Sequence, residues 1–335
     1  GAMSPFSDQQ RGGSPHVESD MDLRSREHLE SEADRPRHRL IGISLLPAAA
    51  TLGNLLCGFL AIFACLLSVR AEYSAHLGQY AIQPRVFHPG LEQLFPTHIA
   101  AGAYLILLAM VFDALDGRLA RITRRTSEFG AQLDSIADIV SFGVAPMMLF
   151  ITLLLRPASG SVPPEVSPLQ LQVGMACALV YVTCAAIRLA RYNAENVRTE
   201  AAMKKFSGLP SPGAAAAVVS LLALHEHLRD VNYYGLGVDW ADVSRWAIAV
   251  TAFVVGLLMV SRLDYVHVFN VYARRRYPPT RLVWVIAILG LAWYSLALLL
   301  VVLAFGYVLS GLIYNARRRW GRHQAAPAPG PTVES

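Results

Sequence analysis

At 335 residues, 54% hydrophobic and 16% charged, with a mean hydropathy of +0.39, the chain is too apolar for an ordinary soluble domain and reads as an all-α integral membrane protein. Its formal net charge of +5 does not indicate a nucleic-acid partner, because the arginines and lysines gather between apolar segments, where they suit an anionic membrane face. Cys57, Cys65, Cys177 and Cys184 lie in apolar segments without a CxxC pair, so they read as packing residues and not as a disulfide framework.

The Gly-Ala pair ahead of Met3 reads as the remnant of a removed tag. Residues 1–40 are rich in Ser, Arg, Glu, Asp and Pro, lack apolar periodicity, and are expected to form a disordered cytoplasmic arm. The amphipathic stretch 41–50 follows Arg35, Arg37, His38 and Arg39 and is expected to lie as a helix at the membrane interface. Apolar windows of about 20 residues, the length that crosses ~30 Å of hydrocarbon, fall at 51–69, 98–120, 130–155, 169–190, 208–228 and 244–262, predicting a core of about six helices over 51–262. A basic cytoplasmic loop, 263–281, follows. The run from Leu282 to Tyr314 would measure ~50 Å as one helix, too long for an ordinary span, so 282–316 is expected to fold as a transmembrane hairpin, giving about eight spans in all. The polar, Ala-Pro-rich stretch 317–335 is expected to be a disordered tail.

Charge sets the expected orientation. The segment before the first span, the loop with Arg124 and Arg125, the loop with Arg198, Lys204 and Lys205, and the loop with Arg274, Arg275 and Arg276 are basic, whereas the alternate loops are not. The positive-inside rule then puts both termini and these loops in the cytoplasm. His225, Glu226 and His227 fall at the outer end of the fifth window and read as a polar cap, not a metal site.

The chemistry concentrates between positions 113 and 138. Asp113, Asp116, Gly117, Ala120 and Arg121 form one stripe on a 3.6-residue helix, and Gly130, Asp134 and Asp138 form a second stripe on the next. Facing helices would bring Asp113, Asp116, Asp134 and Asp138 to one spot, where protons, arginine or a divalent cation must neutralise them. Clustered carboxylates suit Mg²⁺ or Mn²⁺ better than zinc. The expected topology opens this spot to the cytoplasm.

The pattern D-x-x-D-G-x-x-A-R, eight residues, then G-x-x-x-D-x-x-x-D, as it stands from Asp113 to Asp138, is similar to the signature of the CDP-alcohol phosphotransferase family. Gly53-Asn54-Leu55-Leu56-Cys57-Gly58, Ser141 to Pro146, Arg188 to Asn193, Phe206 to Pro212 and Tyr307 to Gly311 further resemble its phosphatidylserine synthase branch. The resemblance implies transfer of the phosphatidyl group from CDP-diacylglycerol to the hydroxyl of L-serine, with CMP leaving. It also implies two divalent ions held by Asp113, Asp116, Asp134 and Asp138, with Asp138 as general base, in a homodimer of a bacterial cytoplasmic membrane. Gly117, Ala120 and Gly130 lack bulk, so a nucleotide can lie against the backbone, and Arg121 is placed to meet a phosphate.

Several positions stay open between function and packing. Asn54 either lies near the cytidine or makes an interhelical hydrogen bond. Arg188 and Arg191 either hold the carboxylate of serine or a lipid phosphate, or anchor the helix by snorkelling. Ser141, three residues after Asp138, either touches the amino acid or packs between helices. Other acceptors, namely glycerol 3-phosphate, an inositol phosphate or choline, share the motif. A cation-coupled transporter would instead spread its acids along a path with internal repeats, and the sequence has one cluster and no repeat.

Overall fold

The structure, a computed structural model, describes residues 38–76, 95, 97–123, 128–156, 166–198, 208–230, 240–263, 288, 290–291 and 295–324. The chain divides into two units, Gly1–Leu46 and Pro47–Ser335, and the second holds the helical bundle. Every described element is helical: α1 (His38–His76), α2 (His98–Thr123), α3 (Glu128–Asp138), a π-helical turn (Ile139–Val144), α4 (Ala145–Leu155), α5 (Pro168–Arg198), α6 (Ser211–Asp230), α7 (Trp240–Val260) and α8 (Leu296–Gln324).

Among the described residues, six helical stretches are long and apolar enough to cross a membrane: Pro47–Ala71, His98–Leu119, Phe129–Leu155, Pro168–Ala194, Ala241–Val260 and Leu296–Arg318. The protein is an all-α integral membrane protein. Large side chains such as Leu56, Phe59, Leu66, Leu179 and Leu257 point outward, as a lipid-facing surface requires.

Among the described residues, this set differs from the expected spans at two places. The stretch 208–228 forms α6, but this 20-residue helix is Ala-rich and ends in His225, Glu226, His227 and Asp230, so it is not among the six. Its residues Ala214, Ala215, Ala217, Val218, Val219 and Leu222 are fully buried, and it packs against α2, α4, α7 and α8. A helix wrapped by others needs small packing residues more than bulky lipid-facing ones. Secondly, residues 296–316 are one unbroken helix, and no hairpin turn falls within them. The Ser295 side chain caps its start, accepting the Leu298 N–H at 3.2 Å. Of 282–294, only 288 and 290–291 are among the described residues.

Two boundaries also move. The expected tail begins too early, because α8 continues through Arg317 and Arg318 to Gln324, and the first helix-breaking proline is Pro327. Residues 41–50, expected as a separate interfacial helix, belong to α1, with Pro47 inside it. Of the expected arm only residues 38–40 are described, as the start of α1, and 264–281 of the basic loop lie outside the described residues.

The entry to α6 is fixed by backbone. Gly208 donates its N–H to the Leu263 carbonyl at 2.8 Å and Leu209 to the Leu258 carbonyl at 3.1 Å, tying the start of α6 to the end of α7. At Gly208 φ is +95°, and a Cβ would run into the Met259 carbonyl oxygen, so only glycine fits.

The end of the bundle away from the acidic stripes is closed by an ion pair. Arg156, just past α4 and roughly 27 Å along the span from Asp138, gives Nη1 to both carboxylate oxygens of Glu226 at 3.0 Å. The Glu226 side chain is fully enclosed, and His225 Nδ1 sits 2.6 Å from Ser244 Oγ beside it. The four cysteines are free, as expected of packing residues.

Removing one partner of such a pair strands a charge without water. Arg156→Met should destabilise the protein by about 3–5 kcal/mol, and Arg156→Met with Glu226→Leu by much less. Thermal unfolding in detergent reads both; equal losses would mean the pair contributes only packing.

Candidate active site

The site is built at one end of the bundle by α1, α2, α3 and α5. On α2, Asp113 and Asp116 stand three residues apart; on α3, Asp134 and Asp138 stand four apart. One carboxylate oxygen from each of Asp113, Asp134 and Asp138 lies within 4.8 Å of the other two. Helical spacing thus does bring the two stripes together. Asp116 stands beside this trio and outside it: its Oδ2 accepts a hydrogen bond from the Thr51 hydroxyl of α1. Thr51 Oγ1 also lies 3.1 Å from the Pro47 carbonyl, and its single proton serves one acceptor at a time.

Asn54, one turn beyond Thr51, is fully buried and gives Nδ2 to Asp138 Oδ1 at 3.1 Å. The interhelical bond anticipated for it is present, and its own Oδ1 is buried without a hydrogen-bond partner. Ser141 is also fully buried, and its hydroxyl donates to the Asn54 main-chain carbonyl at 2.9 Å. A Cβ on Gly58 would overlap Ser141, so α1 meets the π turn there at backbone distance. The packing contact anticipated for Ser141 is present. Asp138 and Ser141 thus both meet Asn54 of α1, the first through its side chain and the second through its main chain.

Arg188 is largely buried on α5, where its Nη1 donates to Ser211 Oγ of α6 at 2.6 Å and its Nε is buried without a hydrogen-bond partner. Its charge is within electrostatic reach of Asp138, Tyr307, Tyr192 and Asp113. Arg191 lies half-buried almost one turn further along. Two residues on, Asn193 Nδ2 donates to Ser135 Oγ at 2.9 Å, clamping α5 to α3 next to Asp134. Gly117 is exposed with open space where a Cβ would stand, and Gly130 is half-buried. Ala120 and Arg121 fall on the last turns of α2, and their side chains lie outside the described residues.

Sequence reasoning did not single out Thr51, Ser135, Asn193 and Ser211 as partners of the site. For Thr51 a signal existed: a hydroxyl three residues before Asn54 shares its helix face in an otherwise apolar run. The other three residues enter bonds between positions 23 or 58 apart, and no periodicity reports such pairs.

Three carboxylate oxygens this close, with further oxygen donors around them, form a hard donor set that fits a divalent cation such as Mg²⁺ or Mn²⁺. Fold and site together define an integral membrane protein with a carboxylate cluster inside its helical bundle. The family model for CDP-alcohol phosphatidyltransferase matches residues 44–258, and the chain belongs to that family. It is 30% identical over 210 residues to the CDP-diacylglycerol–serine O-phosphatidyltransferase of Methanocaldococcus jannaschii, covering 61% of this chain and 81% of that one. Against the enzyme of the same name from Bacillus subtilis it is 30% identical over 179 residues, 53% of this chain and 76% of the relative. The Mycobacterium bovis enzyme of that name is 38% identical over 128 residues, but these are only 37% of this chain and 40% of that protein.

Thr51→Val keeps the shape of the side chain and removes the bond to Asp116. Mn²⁺ affinity, measured by electron paramagnetic resonance, should fall by about tenfold, the usual effect of losing a partner that orients a ligand. Unchanged affinity would mean that Asp116 contributes nothing to cation binding.

Proposed function

We propose that this protein transfers the phosphatidyl group of CDP-diacylglycerol to the hydroxyl of L-serine, giving phosphatidylserine and CMP. The observation that carries the reading is the convergence of Asp113, Asp134 and Asp138 from two helices of a membrane bundle, in the family's motif. The choice of serine is supported by the names of the relatives above. A transporter is not favoured, since the acids gather at one spot.

Asp113, Asp116, Asp134 and Asp138 would hold two divalent ions, Mg²⁺ or Mn²⁺, and these when bound would supply positive charge to offset the negative charge that grows on the leaving oxygen. Asp138 takes the proton of the serine hydroxyl, whose oxygen bonds to the phosphatidyl phosphorus as the bond from that phosphorus to the CMP oxygen breaks. Asn54 fixes the rotation of the Asp138 carboxylate through its amide, and its unpaired Oδ1 is available to a donor of the nucleotide. The open face at Gly117, with Ala120 and Gly130, seats the nucleotide, and Arg121 meets a phosphate. Arg188 and Arg191 bind an anion, either the carboxylate of serine or the lipid phosphate. Ser211 fixes the Arg188 guanidinium through one nitrogen and leaves the others for that anion. Ser141 acts on the site only through Asn54. The protein works as a homodimer in a bacterial cytoplasmic membrane, with site and termini toward the cytoplasm.

Purified protein given CDP-diacylglycerol, Mn²⁺ or Mg²⁺ and a panel of alcohols should release CMP fastest with serine. Chelation should abolish release and added cation restore it. Asp138→Asn should slow it by about a hundredfold or more, the contribution of a positioned base. Equal release with glycerol 3-phosphate would overturn the acceptor, and an undiminished Asp138→Asn rate the mechanism.

A further inference from the structure

The third span is not one α-helix. After Asp138 the chain enters the π turn Ile139–Val144, and the Ala145 N–H reaches back five residues to the Val140 carbonyl instead of four. One extra residue in the ladder rotates α3 against α4 by about 100°, one residue's share of a helical turn. That rotation lets one span serve two faces: α4 buries Met147, Leu149, Phe150 and Leu153 in the core, while α3 turns Asp134 and Asp138 to the acidic site.

A widened turn misaligns main-chain carbonyls, and in a dry interior each needs a donor. Two side-chain hydrogen bonds anchor the turn, one donated by it and one donated to its main chain. Ser141 ties it to the Asn54 carbonyl, and Tyr181 of α5, fully buried, donates its hydroxyl to the Phe142 carbonyl at 2.8 Å. Tyr181 is held in turn by α7, where a Cβ on Gly256 would come within 3.2 Å of the Tyr181 Cα. Its one hydroxyl proton goes to the Phe142 carbonyl and not to a carboxylate of the site, and the phenol lies within electrostatic reach of Arg188.

We propose that Tyr181 is a positioning residue for Asp138: by holding the Phe142 carbonyl, its hydroxyl fixes the π turn that aims Asp138 at Asn54, Asp113 and Asp134. This rests on the reading of Asp138 as cation ligand and base. It also explains why a fully buried tyrosine, which needs a partner for its hydroxyl, stands where phenylalanine would fill the space.

The test is a double-substitution cycle on the full chain in lipid nanodiscs, using Tyr181→Phe, Asp138→Asn and the pair. Mn²⁺ affinity is read by electron paramagnetic resonance and serine-dependent CMP release by initial rates. Tyr181→Phe should weaken Mn²⁺ binding and lower kcat by about tenfold each, with KM for serine within about twofold. In the Asp138→Asn background the same substitution should change Mn²⁺ affinity by less than about twofold, because its effect passes through Asp138. An equal loss in both backgrounds, or none in the native one, overturns the proposal. Ser141→Ala, which releases the other anchor, should give the same dependence on Asp138 and decides the matter if Tyr181→Phe does not fold. Native protein that binds Mn²⁺ but releases no CMP with serine would sink the functional reading, and the Mn²⁺ cycle would still decide the role of Tyr181.

Discussion

Mutual repulsion of carboxylates is the constraint on which the rest of this structure depends. With oxygens of Asp113, Asp134 and Asp138 within 4.8 Å of one another, each ionised pair costs roughly 3 kcal/mol even at an effective dielectric constant near 20. Three such pairs approach the whole stability of an ordinary domain. The bundle tolerates them only because protons or cations compensate, and because the scaffold around them is rigid enough to keep the helices from parting. Such a site is poised for cation binding: the free energy released on neutralisation is available to grip a charged substrate.

The two ends of the bundle handle charge in opposite ways. At one, Glu226 is enclosed but matched to Arg156 through two hydrogen bonds, so nothing is left for a ligand. At the other, acids outnumber the donors that meet them, the Arg188 guanidinium is only partly used, and Asn54 Oδ1 has no protein partner. Unspent hydrogen-bonding capacity in a dry place, and not polarity alone, separates a site from a staple.

Rigidity comes from close backbone approach. α1 meets the π turn through Gly58 and Ser141, α7 meets α5 through Gly256 and Tyr181, and α6 runs through the middle on small side chains. In lipid, where apolar burial gives helices little reason to associate, such contacts and interhelical hydrogen bonds supply the cohesion. They converge on Asp138, which is reached from α1 by Asn54 and from α5 through Tyr181 and the π turn.

The helical membrane architecture and the acidic site were legible in the sequence because both rest on periodicity. Twenty-residue apolar windows report spans, and spacings of three and four residues report which aspartates share a face. The family pattern placed Asn54 and Arg188 near the site as well. What periodicity cannot report is the contact between distant segments. The sequence therefore left Ser141 open between substrate and packing, passed over Thr51 and Tyr181, and grouped Asp116 with three acids from which a hydrogen bond to α1 sets it apart. By the same limit, hydropathy cannot tell a central, Ala-rich helix from a lipid-facing one, nor a capped helix starting at Leu296 from the second arm of a hairpin. By itself the sequence determined that this is a membrane bundle with clustered carboxylates, since local spacing along one chain suffices for both. Only the tertiary structure decided which carboxylates meet and what aims them, because a single extra residue in the π turn after Asp138 rotates everything beyond it, and its anchors come from helices far away in the chain.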